Sequence, residues 1–277
     1  MMPLTMLLLS SLLLVMATMT CLWLLSLIRR DASVVDPFWG TGFVLVTWFA
    51  LASTPRAPVF ERSWWLVTLT TVWGLRLSLY LLWRNWGHLE DRRYRAMREN
   101  HGPHFWWISL LTVFLLQGLI LWIVSMPIQA ALVTASTIPR GWFDLIGIVL
   151  WCIGLTFEAV GDFQMARFQA DPQNAGRVLD RGLWRLTRHP NYFGDFCVWW
   201  GLYIIALASG AAWTIVSPLL MSFLLLKVSG VTLLEKTIID RRPEYAAYQT
   251  RTSSFFPWPP QIVSRRVREF GSGSTRE

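Results

Sequence analysis

The sequence is poor in what a water-soluble enzyme is built from. Only 15% of its 277 residues are charged, against about 25% in an average soluble domain. That excludes an ordinary soluble enzyme, and the apolar content excludes a disordered chain. Cysteine is scarce: Cys21, Cys152 and Cys197 lie in apolar surroundings without CxxC spacing, so neither a disulfide framework nor a zinc cluster is expected. The four histidines, His88, His101, His104 and His189, are equally dispersed, and no metal is expected. No GxGxxG or GxxxxGKS/T stretch occurs, so a bound nucleotide would not sit on a Rossmann or P-loop fold.

What is abundant is apolar. The hydrophobic set makes up 54% of the chain and there are eighteen Trp, a residue that favours membrane interfaces. Long apolar runs broken by Arg-rich loops predict an all-α, polytopic membrane bundle, because backbone crossing lipid must satisfy its own hydrogen bonds. Seven spans are expected, at about Leu4–Leu27, Phe38–Ala52, Trp64–Trp83, Phe105–Met126, Phe143–Phe163, Tyr192–Leu207 and Trp213–Leu234. The first is too long, and lacks the basic leader and small-residue cleavage site, to be a signal peptide.

Charge orients the bundle. One set of alternate loops holds Arg29 and Arg30, then Arg84 to Arg98, then Arg167 to Arg188, then Lys236 to Arg276, twenty basic residues in all; the opposite loops hold only Arg56, Arg62 and Arg140. Basic residues accumulate on the cytoplasmic side, so the amino terminus is expected outside and the carboxyl terminus in the cytoplasm, which requires an odd span count. The net charge of +8 is accounted for in this way, and nucleic acid is not an expected partner. One domain over residues 1–260 is expected, its cofactor-binding half at about 143–260, followed by a polar tail over 261–277.

Ionisable groups at a bilayer boundary are candidate functional groups, because burying them is costly. Asp36 precedes Pro37 at the mouth of span two, a pattern that also fits a helix cap before a first-turn proline. Arg76 and Tyr80 share a face of span three, and Glu158 and Asp162 share one at the end of span five. Two acids at a helix C-terminus oppose the macrodipole and need partners. The densest polar stretch runs from Asp171 to Asp195, with Arg177, Arg181, Arg185 and Arg188 leading into His189-Pro190-Asn191-Tyr192. Arginines pair bidentately with phosphates, and they also touch lipid headgroups. A second polar stretch follows, with Glu235, Arg241, Arg242, Tyr245 and Tyr248.

Gly182-Leu183-Trp184, Arg188 to Asp195, the Arg241-to-Tyr248 segment and the terminal Phe255-Phe256-Pro257-Trp258 together resemble the steroid 5-alpha-reductase-like membrane reductases, most closely bacterial members, and the related sterol double-bond reductases. The resemblance covers about Asp31 to Trp258. It implies a seven-helix bundle in a bacterial inner membrane that encloses NADPH on its cytoplasmic side. It also implies a lipid or steroid substrate arriving from the bilayer. By position it implies dinucleotide contacts from Asp162, Arg167, Arg185, Arg188, Asn191, Tyr192, Asp195, Glu235, Arg241, Arg242 and Tyr248. It implies a catalytic pair in Asp36, standing for the Glu of eukaryotic enzymes, and Tyr80. The pair would hold the ketone oxygen of a 3-oxo-4-ene steroid while NADPH reduces the double bond. The isoprenylcysteine and phospholipid methyltransferases, which use S-adenosylmethionine, share the Arg-His-Pro segment. They stand as the alternative, together with a non-catalytic lipid-binding protein of the same fold.

Overall fold

The computed structural model describes residues 2–54, 62–134, 141–228, 242 and 244–261. Among these residues the regular elements are all helical. Helices α1 (Leu4–Arg29), α2 (Val35–Ala52) and α3 (Arg62–Asn85) are followed by a short charged helix, α4 (Arg92–His101). Then come α5 (Phe105–Ser109), a π-helical turn over Leu110–Leu115 and α6 (Leu116–Val133). The chain continues through α7 (Trp142–Ala170), α8 (Pro190–Leu207), α9 (Val216–Phe223) and α10 (Glu244–Arg251).

Among the described residues, five stretches are long and apolar enough to cross a membrane: Leu4–Arg29, Ala32–Ala52, Arg62–Asn85, Arg92–Val133 and Trp142–Ala170. This is the pattern of an integral membrane protein. Outward-facing apolar side chains such as Leu13 (70% exposed) and Trp83 (62%) suit a lipid environment, since a soluble protein rarely leaves such surface in contiguous patches. The sixth expected span corresponds to α8, whose first turns are polar. The seventh corresponds to a shorter apolar stretch, Ala212–Val228; its expected remainder, 229–234, lies outside the described residues, as do Arg56, Arg140, Lys236 and the tail 262–277.

The residues cluster into two compact units, Met1–Thr156 with Gly194–Leu225, and Phe157–Phe193 with Leu226–Glu277. The boundaries fall inside α7 and α8.

In the first unit, α2 and α3 make the most extensive packing, while α6 packs on α1, α2 and α9. Glycine sets how closely α2 and α3 approach: a Cβ on Gly40 would collide with the Gly74 carbonyl oxygen. Helices driven together in lipid gain from such backbone contact because the solvent offers no hydrophobic force between them. Beside the contact, Ser78 Oγ accepts from the Thr41 N–H at 2.7 Å. One turn deeper, the rings of Phe43, Trp73 and Trp199 meet with centroids 4.4 to 5.6 Å apart, and all three are buried. At the far end of α3, Arg62 pairs with Asp144 through two hydrogen bonds of 2.6 and 2.8 Å.

The start of α2 differs from the expectation. Asp31 caps a 3₁₀ turn, Ala32–Val34, by accepting from the Ser33 N–H at 2.8 Å, so α2 begins at Val35 rather than Phe38. Asp36 therefore lies within the first turn and its carboxylate is not spent on capping.

Candidate functional site

In the first unit the polar groups converge on Asp36. Its Oδ1 accepts the Tyr94 hydroxyl at 2.7 Å and its Oδ2 accepts Arg93 Nη2 at 2.9 Å. Gln117 Nε2 donates to the Tyr94 oxygen at 3.3 Å, and the Trp39 indole N–H donates to Gln117 Oε1 at 2.5 Å. Tyr94 is buried while Arg93 is half exposed. The result is a chain of carboxylate, phenol, amide and indole drawn from α2, α4 and α6. Gln117 follows the π-helical turn, a feature that changes which side chains face inward and often marks functional positions.

Charged staples bring Tyr94 there. Glu90 accepts from the Ala32 N–H at 2.8 Å and from Arg98 at 2.7 and 3.0 Å. The Asp91 N–H donates to Ser33 Oγ at 2.7 Å, and its carboxylate caps α4 through the Arg93 N–H at 2.9 Å. Burial alone would push the Glu90 carboxyl up. The Arg98 hydrogen bonds, the Ala32 N–H and the Arg98 charge outweigh it and hold Glu90 below the usual carboxylate range. For Asp91, burial is likewise overcome, by the Arg93 hydrogen bonds and charge.

A carboxyl whose folded pKa is depressed contributes stability that is complete above its unfolded value and is lost as pH falls through the folded one. The expected result is a melting temperature gap between the wild type and Glu90→Gln that is constant from pH 7 to about 5. The gap should shrink below about 4, near the unperturbed carboxylate pKa. Tryptophan-fluorescence melts of the detergent-solubilised protein at each pH measure it, and a gap that widens in acid would contradict the staple.

Tyr80, the expected partner of Asp36, lies in a different setting: Arg76 and Arg84 stand 5.4 and 5.9 Å from its ring centroid. The three form a stripe at four-residue spacing along α3. The phenol that hydrogen-bonds Asp36 is Tyr94, which sequence reasoning missed. Asp195 is also in this unit. Its carboxyl is buried beside the Trp199 indole, and the Arg76 charge reaches it.

In the second unit the remaining expected dinucleotide contacts are knitted together by their own backbone. Gly182, at φ +63°, turns the chain so that the Leu183 N–H reaches Gln164 Oε1 at 3.0 Å and the Trp184 indole reaches the Gly161 carbonyl at 3.0 Å. The Tyr248 hydroxyl donates to the Trp184 carbonyl. Arg188 Nη1 donates to the carbonyls of Gln249 and Thr252, at 3.0 and 2.7 Å, where α10 leaves its last acceptors unsatisfied. Arg242 donates to the Arg177 carbonyl at 2.7 Å. Asp162 is buried beside the equally buried Glu158, and the Tyr192 and His189 rings stack at 5.4 Å. Asn191 Oδ1 accepts from the Tyr192 N–H at 3.1 Å, which leaves its amide nitrogen as a donor. Arg167 and Arg185 are exposed. Glu235 and Arg241 lie outside the described residues. Among the described residues no group of three or more His, Cys, Asp or Glu side chains converges as metal ligands would.

Comparison with known proteins adds two relatives. The chain is 27% identical over 272 residues to an uncharacterized protein of Schizosaccharomyces pombe, an alignment covering 85% of this chain and 75% of that protein. Over 64 residues it is 38% identical to a protein of Ustilaginoidea virens described as a "Probable O-methyltransferase"; that match covers 23% of this chain and 22% of the relative. No solved structure matches. The profile of one family spans residues 22–252, from the end of α1 through α10, and the chain belongs to that family, described as protein of unknown function (DUF1295).

Proposed function

We propose that the chain is a membrane-embedded, NADPH-dependent reductase of the carbon–carbon double bond of a lipid enone, of the 3-oxo-4-ene steroid 5-alpha-reductase type, with its basic loops in the cytoplasm of a bacterium. The observation that carries this reading is the Asp36–Tyr94 hydrogen bond inside an apolar bundle. An acid–phenol couple in a dry setting is suited to a carbonyl oxygen that gains negative charge during reaction. Membership of a family that includes steroid 5-alpha-reductase-like proteins supports the reading.

The residues present fit the cofactor. At the start of α8, Asn191 offers an amide nitrogen, its Oδ1 being held by the Tyr192 N–H. Arg185, exposed and beside Trp184 in the Gly182–Arg185 turn, suits a phosphate. Asn191, Tyr192 and Arg185, all in the second unit, would hold the dinucleotide, while Arg188, Arg242 and Tyr248 hold the loop that carries Arg185. When bound, NADPH supplies a hydride to the β carbon.

The chain supplies the polar partners. When substrate binds, the Tyr94 hydroxyl turns its single proton from Asp36 to the carbonyl oxygen, while Gln117 still donates to the phenol oxygen and Arg93 keeps Asp36 paired. Tyr80, flanked by two guanidinium groups, is the second phenol available to that oxygen. Water delivers the proton to the α carbon.

The second reading, an S-adenosylmethionine-dependent methyltransferase, rests on the 64-residue likeness to the O-methyltransferase. Equilibrium binding of NADPH, NADH and S-adenosylmethionine to the detergent-purified protein separates the two. The expected result is tight NADPH binding, weakened roughly 10- to 150-fold by Arg185→Ala, the equivalent of about 1.5–3 kcal/mol for a lost hydrogen bond to a charged group. Saturable binding of S-adenosylmethionine without NADPH binding would transfer the assignment to the methyltransferase.

A further inference from the structure

The second unit contains a pocket of about 800 Å³ at the C-terminal end of α7, with Val160, Phe163, Arg167, Phe168 and Arg181 among its walls. Three features give it a chemical character. First, Val160, Phe163 and Arg167 follow one another at helical spacing, so a single face of α7 passes from apolar to basic. Second, Phe163 is 63% exposed on a helix long and apolar enough to cross a membrane, so the apolar lip faces where lipid chains would lie. Third, Arg167 and Arg181 are exposed and neither makes an ion pair with a described residue; Arg181 stands 6.0 Å from the Phe168 ring centroid.

The carboxylate nearest to the pocket does not neutralise them. Asp171 also lines it, but its oxygens accept from the Gln173 N–H at 3.0 Å and the Asn174 amide at 3.3 Å. Asp171 contributes one negative charge and the helix end about half of another, and the two guanidinium charges exceed their sum. Gly182 and Gln164 also line the pocket, and a Cβ on Gly182, whose backbone is left-handed, would collide with the Gln164 side chain.

We propose that this pocket binds the phosphate of an anionic membrane phospholipid, with the acyl chains lying along Val160 and Phe163 and the phosphodiester between Arg167 and Arg181. A phosphate could also come from a soluble dinucleotide. The membrane source is favoured because the basic pair is continuous with an exposed apolar face that a water-soluble ligand does not need. The assignment is independent of the reductase reading, and it takes Arg167 out of the dinucleotide set.

Native mass spectrometry of the full-length protein, equilibrated with equal amounts of phosphatidylglycerol and phosphatidylcholine of the same chains, tests it. Wild type should retain phosphatidylglycerol preferentially, and saturating NADPH should not displace it. The Arg167→Gln, Arg181→Gln double variant should lose about 25-fold in retention, at roughly fivefold for each basic residue, while Arg167→Lys keeps most of it. Both side chains are exposed, so elution volume and melting temperature should not change. Absence of a preference for phosphatidylglycerol in wild type, or its persistence in the double variant, would overturn the proposal. So would displacement of the lipid by NADPH, which would return the pocket to the dinucleotide and leave the reductase reading standing. Failure of NADPH to bind at all would affect that reading and not this one.

Discussion

Tyr94→Phe is expected to lower turnover of a 3-oxo-4-ene steroid by about 10²–10³, the loss typical of removing one donor from a developing oxyanion, while NADPH binding is retained. The substitution keeps the ring and its packing and deletes only the hydroxyl that donates to Asp36 at 2.7 Å and accepts from Gln117 at 3.3 Å. Asp36→Ala should produce a comparable loss, because the phenol then has no acceptor to orient it. Asp36→Asn is the sharper probe: its amide can present an oxygen to Tyr94 but no full charge to Arg93, so partial activity is expected. Arg93→Gln, which removes a half-exposed partner, should cost less than either. Steady-state rates of NADPH oxidation with the enone, on variants that elute and melt like the wild type, provide the comparison. Should Tyr94→Phe be fully active and Tyr80→Phe be the impaired variant, the oxyanion role would belong to the phenol between Arg76 and Arg84.

The second large effect concerns stability. Arg62 and Asp144 are each 7% exposed and joined by two short hydrogen bonds. Arg62 also donates to the Ala208 carbonyl at 3.4 Å. It thereby links α3, α7 and the turn after α8, all within the first unit. Arg62→Ala or Asp144→Ala should destabilise the protein by about 3–5 kcal/mol, because the remaining partner is left charged and buried. The double variant Arg62→Met, Asp144→Leu should recover most of that loss, since apolar groups of similar volume replace a pair whose desolvation offsets its attraction. Denaturation midpoints in a fixed detergent would show it. Equal destabilisation in single and double variants would mean that the hydrogen bonds from Arg62 to the Ala208 carbonyl and from the Gly141 N–H to Asp144 Oδ2 at 3.1 Å, rather than the uncompensated charge, dominate.

Arg62 also shows where reading charge along the chain stops. Counted as one of three basic residues on the sparse side, it entered a topology argument as a loop charge. In the structure it is the first residue of α3 and is buried in an ion pair. Arg188 is a parallel case. Its place in an Arg-rich loop suggests a phosphate ligand, yet one of its guanidinium nitrogens is taken up by two carbonyls at the end of α10. In both cases the neighbouring sequence points to a loop residue, and the actual partners are groups distant in sequence.

The long helices were legible because crossing lipid imposes a length and an apolar composition that each segment carries by itself. Leu4–Arg29, Arg62–Asn85 and Trp142–Ala170 follow from that alone, and the cost of burying an acid marks Asp36 as a candidate. Helix α4 was not legible in this way: ten mostly charged and polar residues look like a basic loop, and only contacts with Ala32 and Ser33 reveal a strap. Which phenol meets Asp36 was likewise decided only by tertiary structure. Tyr94 lies 58 residues away in sequence. It arrives through the Glu90 and Asp91 staples, the Gly40–Gly74 approach of α2 to α3 and the π-helical turn ahead of Gln117. Composition and periodicity are properties of a segment and can be read from it. A hydrogen bond between distant segments depends on how closely helices approach and how they are rotated, and both are set by packing that no one segment contains.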